Sequence, residues 1–341
     1  MTRYDADALA CIRLSCETSL KKRCALYDSV ERPSQLYDDY AQAEQIVQRL
    51  REMDAVAICR GDGAYPDALY ASDCPPVALY CRGDISLLRD RRYKLAVVGT
   101  RRPTRYGKDV TTAFVRELTR AGVAIVSGMA RGVDAYAHRA CLEESGKTIA
   151  VVATGVDLVY PSENLELAQR IIREGLLVSE YPPGTPPMAF RFPERNRIVS
   201  ALSDATMIPE AGERSGSMIT ANLTIEQGKE LFVIPGSVLS PQSAGCNRKL
   251  KELQGSLTTS PDDILHAAGM DRRKAQTAAR QITIEQQAVL DALQEGEMHF
   301  SQILDRVQSS VAELSALLTQ MEIYGLICKL SGNCYACAPQ L

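Results

Sequence analysis

From Lys94 onward, apolar runs of four to six residues alternate with longer amphipathic stretches. The runs are KLAVVG (94–99), VAIVSG (123–128), KTIAVVATG (147–155), GLLVSE (175–180), ATMIPE (205–210) and LFVIPG (231–236). Between them the apolar positions take helical spacing near 107–121, 131–145, 164–174, 194–202 and 216–228. Continuously apolar strands separated by helices imply a parallel sheet covered on both faces. The pattern predicts an α/β fold: a Rossmann-like, doubly wound parallel sheet over residues 90–268. Open sheets of this kind bind ligands outside the carboxyl ends of their strands.

The flanks carry other patterns. In residues 1–85, apolar positions at Ala8–Leu26 and Ala41–Met53 repeat with helical spacing, broken by Pro and Asp. They predict a small helical domain of the SAM or helix-hairpin-helix kind, ending in the turn-rich stretch GDGAYPDALYASDCPPVALYCRG. Residues 269–281 are polar and small and read as a linker. The tail, 282–341, shows helical periods at Ile284–Leu293, Phe300–Val307 and Val311–Tyr324. Short strands then follow at Leu326–Leu330 and Cys334–Ala336, around the turn Ser331-Gly332-Asn333. Three helices and a hairpin describe a winged helix. Its basic residues are Arg306 and Lys329, with His299 conditional, against seven acids. That balance favours a protein contact over double-stranded DNA.

A chain of 341 residues that is 45% apolar and 24% charged suits a soluble protein of two or three domains. It has no apolar run long enough to span a bilayer. The first residues carry acids and lack the apolar core of a secretory signal, so the expected location is cytoplasmic. The eleven cysteines follow no framework spacing and are expected to be free thiols in a reducing compartment. Cys334 and Cys337 form a CxxC without a second pair nearby, so no metal is expected. Net charge is −3, but residues 91–139 hold 11 Lys/Arg against three acids, a local excess of +8. A basic surface on an acidic body can attract a polyanion through its local field.

Candidate chemistry collects in the loops after the strands: Gly99-Thr100-Arg101-Arg102-Pro103, Ser127-Gly128-Met129-Ala130-Arg131-Gly132, Ala153-Thr154-Gly155 and Glu210-Ala211-Gly212-Glu213-Arg214-Ser215-Gly216-Ser217. Glycine lets backbone approach an anion, helix N-termini present free N–H groups, and arginine supplies a fork for phosphate oxygens. Gly-rich turns also occur in such sheets for geometry alone. A further segment, Phe190-Arg191-Phe192-Pro193-Glu194-Arg195-Asn196-Arg197, sets arginines beside aromatics where a helix starts. Single strands are gripped by that pairing of charge and stacking, although a capping turn with inward phenylalanines fits the same residues.

The cofactor motifs are missing. No G-x-G-x-x-G follows the first strand, and Gly146-Lys147-Thr148 has Cys141 where a P-loop needs glycine, so no nucleotide cofactor is expected. Asp134 and His138, at i and i+4, are expected to form a local ion pair rather than a catalytic one. No Ser/His/Asp arrangement is evident, and no catalytic residue is assigned.

The segments GTRRPTRYG (99–107), SGMARGVDAYAHR (127–139), GKTIAVVATGVDLVYPSEN (146–164), GLLVSEYPPGTPP (175–187), FPERNRIVSALSDA (192–205), EAGERSGSMITA (210–221) and PGSVLSPQSAGCNRKL (235–250) resemble, in order and spacing, the Rossmann-like core of the DNA-processing protein A (DprA/Smf) family. The resemblance implies a non-enzymatic single-stranded DNA-binding protein. It implies protection of incoming strands and loading of the RecA recombinase onto them in natural transformation. It also implies a homodimer, with the interface expected around Cys246, Leu250 and Leu253. The DNA contacts it suggests, together with the loop chemistry, are Gly99, Thr100, Arg101, Arg102, Arg105, Ser127, Gly128, Arg131, Arg195, Asn196, Arg197, Gly216 and Ser217.

Two departures stand out. Ser162 and Glu163 take the place of a basic residue that many members carry, so one phosphate contact is expected to be lost, with affinity either lowered or shifted onto Arg105 or Arg102. Pro209 replaces an aliphatic residue and is expected at the very end of its strand. The alternative function is a nucleotide-processing enzyme resembling phosphoribohydrolases, but loop 210–217 lacks their PGG-x-GT pattern.

Overall fold

A computed structural model describes residues 4–270, 283–294, 296–307, 309–323, 326–330 and 332–337. The chain forms two compact units, 1–272 and 273–341. Most of the expected 269–281 linker lies outside the described residues.

In the first unit, helices α1 (Ala6–Leu14), α2 (Leu20–Asp28) and α3 (Ala41–Glu52) precede strands β1 (Val56–Cys59) and β2 (Ala78–Gly83). The alternating part follows as β3 (Lys94–Val97), α4 (Arg105–Arg120), β4 (Ala124–Ser127), α5 (Val133–Glu143), β5 (Thr148–Val152), α6 (Leu165–Glu174), β6 (Leu176–Ser179), α7 (Arg191–Ala201), β7 (Ala205–Ile208), α8 (Ser217–Glu226) and β8 (Glu230–Val233). Helix α9 (Ala244–Lys251), β9 (Ser256–Leu257) and α10 (Pro261–Ala267) close it.

One nine-stranded sheet runs in the order β1-β2-β6-β5-β4-β3-β7-β8-β9. The seven strands from β6 to β9 are parallel, in a Rossmann-like arrangement. Strands β3 to β5 and β7 are buried throughout, which is why they read as unbroken apolar runs. Strand β7 ends at Ile208, so Pro209 falls just past the ladder, where its missing N–H costs nothing.

The N-terminal stretch differs from the expected helical domain over 1–85. Its helices are present, but β2 pairs antiparallel with β6, and β1 with β2, so residues 56–83 extend the main sheet. Buried on successive positions, β2 lacks the alternation that would mark a one-sided strand, and flanking Pro and Gly disguised it as a turn. The same helices and strands share a core that includes Ile12, Leu50, Tyr80 and Leu177.

The cysteines also bring a correction. Cys24 and Cys74 form a disulfide with Cα atoms 5.9 Å apart, 50 residues apart in sequence, so their pairing is a product of the fold. The remaining described cysteines are free. Among the described residues no group of three or more His, Cys, Asp or Glu gathers as a metal site. No helix among them is long and apolar enough to cross a membrane.

In the second unit, helices Ile284–Leu293, Phe300–Val307 and Val311–Ile323 pack with a three-stranded sheet. A short strand at Met298–His299, unmarked by periodicity, joins Ile327–Lys329 and Cys334–Cys337. Val289, Leu293, Ile303, Leu314, Leu318 and Met321 form the core of this winged helix.

Candidate nucleic-acid interface

Strand order reverses direction around β3: β4, β5 and β6 lie to one side, β7, β8 and β9 to the other. The loops after β3 and β7 therefore leave in opposite directions and open a crevice at the carboxyl ends of the strands. A cleft of about 890 Å³ sits there.

Glu210 ties two of its walls together. Its carbonyl accepts from the Thr100 backbone N–H at 2.8 Å. Its carboxylate accepts from Thr104 N (2.8 Å) and Thr104 Oγ1 (2.7 Å). A buried carboxylate engaged through both of its oxygens fixes the 99–104 loop. Thr100 Oγ1 reaches Gln242 Oε1 at 3.2 Å and accepts from Arg102 N, also at 3.2 Å.

The 128–132 turn packs directly on this loop. Gly132 has φ +74°, and a Cβ there would lie 2.3 Å from Thr100 O, so only glycine permits the approach. Val133 N donates to Thr100 O at 3.2 Å. Asn164 Nδ2 donates to Met129 O at 3.0 Å and pins the turn from the other side. Arg101 is thus held beside the turn and remains exposed.

Its guanidinium carbon lies 5.3 Å from the centroid of the Phe192 ring, and Phe192 in turn lies 5.7 Å from Tyr160. One cation and two aromatic faces are therefore contiguous on the cleft wall. Tyr160 is 47% exposed, and its position after β5 in a loop of ordinary composition gave no sign of this role. Arg214, from the 210–217 candidate loop, and Gln242, which the sequence did not single out, also line the cleft.

Of the expected contacts, Gly99, Thr100, Arg101, Arg102, Asn196, Gly216 and Ser217 line the cleft. Asn196 links its walls, with Nδ2 donating to Gly216 O at 3.3 Å. The others are placed differently. Ser127 is fully buried and donates to Val97 O at 2.6 Å, so its hydroxyl faces the sheet. Arg105 projects into solvent beside Asp109 at 3.6 Å, outside the cleft lining. Arg131 is exposed but paired with Glu163 at 2.8 Å, so the acid that replaces the expected base also engages a neighbouring one.

Arg195 and Arg197 require correction as direct contacts. Arg197 is buried, with NH2 at 2.6 Å from Glu180, which Arg23 also approaches at 3.4 Å. Arg195 touches the cleft floor, but its guanidinium turns inward and donates to Gly128 O at 2.6 Å and to Val151 O. A Cβ on Gly128 would sit 2.4 Å from that guanidinium, so the glycine is a packing requirement and its backbone is covered. Burial depresses the Arg195 pKa and raises that of Asp134. Both side chains belong to the foundation of the cleft.

Asp134 and His138 form no ion pair. Asp134 accepts from Ala130 N at 3.3 Å, while His138 Nδ1 lies 2.7 Å from Thr148 Oγ1. The Thr148 hydroxyl donates its single proton to Ile125 O at 2.9 Å, so His138 must donate from Nδ1. Burial takes its pKa down to about 3.

Cys246 cannot serve an interface as expected. It lies on the buried face of α9, within reach of Ile208 O at 3.8 Å, and burial raises its thiol pKa to about 12. Leu250 is half-buried and Leu253 is 90% exposed.

The fold and the cleft define a Rossmann-like protein with a basic, glycine-lined groove at the switch point of its sheet. The chain belongs to the DNA recombination-mediator protein A family, whose model matches residues 56–269. The DprA winged helix domain matches residues 272–333. The chain is 41% identical to the DNA processing protein DprA of Bacillus subtilis over 60% of its own length and 69% of that protein. It is 41% identical to protein Smf of Escherichia coli over 59% of its length, but this spans only 53% of Smf. Among solved structures, it resembles DprA from Streptococcus pneumoniae with TM-score 0.66 and 31% identity, covering 79% of this chain and 99% of that one. It also resembles Helicobacter pylori DNA processing protein A, whose single-stranded DNA binding mode has been described, with TM-score 0.58 and 36% identity, covering 63% of this chain and 95% of that one.

Proposed function

We propose that this protein binds single-stranded DNA in the cleft, covers incoming strands and passes them to the RecA recombinase during natural transformation. The observation that carries the reading is the contiguous Arg101–Phe192–Tyr160 surface beside the 99–102 and 212–216 loops that line the cleft. Phosphates meet arginine and backbone amides there, and bases meet aromatic faces. Catalysis has no place in this reading, because the buried Glu210 is committed to Thr104 and His138 is sealed in the core. The protein acts in the cytoplasm as a homodimer, with exposed Leu253 rather than Cys246 at its contact surface.

The test is fluorescence anisotropy with single- and double-stranded oligonucleotides at two salt concentrations. Single strands are expected to bind more tightly, with affinity falling steeply as salt rises. Arg101→Ala should weaken binding by about 1–3 kcal/mol through loss of one charged contact. Equal binding of single strands by Arg101→Ala and wild type would refute the site. Release of free base from nucleoside monophosphates would instead favour the phosphoribohydrolase-like alternative.

A further inference from the structure

A second groove, of about 470 Å³, lies between the N-terminal helices and the segment after β6. It shares a wall with the cleft. Pro186 lines the groove and Pro187 the cleft; Arg191 lines the groove and Phe192 the cleft. The thickness of one chain segment, 186–192, therefore separates the two. The crest of that segment exposes Phe190 (45%) and Met188 (46%), and the Arg191 guanidinium carbon lies 5.4 Å from the Phe190 ring centroid.

The far side of the groove is built by α3. Arg49 projects there from an exposed position and meets Gly184 across the gap. Among the described residues Arg49 has no hydrogen bond and no ion pair. Its acidic neighbour Glu17 is occupied by Lys22 at 2.6 Å, so it does not compete for the guanidinium. An unpartnered arginine, polar Gln42 and Gln45, and an aromatic crest follow directly on from the cleft.

We propose that this groove is a second subsite for the same DNA strand. The strand leaves the Arg101–Phe192 wall, crosses Phe190 and places a phosphate on Arg49. The N-terminal helices thereby become part of the DNA path. This inference rests on the cleft being a single-stranded DNA site.

Two oligothymidylates separate the possibilities, one of about 5 nucleotides that fills only the cleft and one of about 20 that reaches both grooves. Arg49→Gln keeps an exposed helix position helical. It should leave the short oligomer unaffected and weaken the long one threefold to tenfold. The dependence of log K on log salt for the long oligomer should become shallower by about 0.7, the value for one lost single-strand phosphate contact. Unchanged affinity and salt dependence for the long oligomer would overturn the subsite, as would equal losses at both lengths. Arg101→Ala is the control on the cleft and should weaken both lengths. If it binds both as wild type does, the cleft reading fails and the groove falls with it.

Discussion

Replacing Arg195 with leucine tests whether this arginine supports the cleft or touches its ligand. The substitution removes two donors held by buried carbonyls, Gly128 O and Val151 O, and takes a cation away from the buried Asp134. Hydrogen bonds from a charged donor contribute about 1.5–3 kcal/mol each, and the added leucine recovers part of the loss through apolar burial. The net destabilisation should therefore be about 3 kcal/mol or more. A unit of this size exposes much surface on unfolding and has a urea m-value of about 3 kcal/mol/M, so the midpoint should fall by about 1 M. Urea unfolding followed by far-UV circular dichroism measures this, with Arg101→Ala as the comparison. Exposed Arg101 should lose DNA affinity while the stability of Arg101→Ala stays within about 0.5 kcal/mol of wild type. Should Arg195→Leu unfold at the wild-type midpoint yet lose binding as Arg101→Ala does, the guanidinium faces the ligand and the inward assignment is wrong.

Two further outcomes follow from the same geometry. His138 titrates at about 3 when folded, below its ordinary value of about 6.5, so the unfolded chain binds the extra proton first. Its contribution is intact above pH 6.5 and is lost as pH falls toward 3, by about 2 kcal/mol at pH 5; His138→Leu should flatten that part of the stability–pH curve, and an unchanged curve would contradict its burial as a neutral ring. Glu163→Gln frees Arg131 from its exposed partner, so single-stranded DNA affinity should rise by less than about fivefold, since such pairs are weak. The salt dependence should also steepen by about 0.7, and an identical slope would place Arg131 off the DNA path.

The order of strands and helices from Lys94 to Pro235 was readable because each carries its own apolar period, and continuous burial of parallel strands leaves a plain mark. The loops that build the cleft were readable for the same reason: in a doubly wound sheet the ligand side lies after each strand, whatever the partners turn out to be. Which arginine faces solvent was not readable. Arg101, Arg195 and Arg197 look alike in sequence, yet the sheet and the 128 turn cover Arg195, and Glu180 captures Arg197. Likewise β2 joined β6, Cys24 met Cys74 and Tyr160 met Phe192 only through contacts between distant segments. A residue's period reports the element it belongs to. Its exposure and its neighbours depend on what the rest of the chain packs against that element, and that is set by tertiary structure alone.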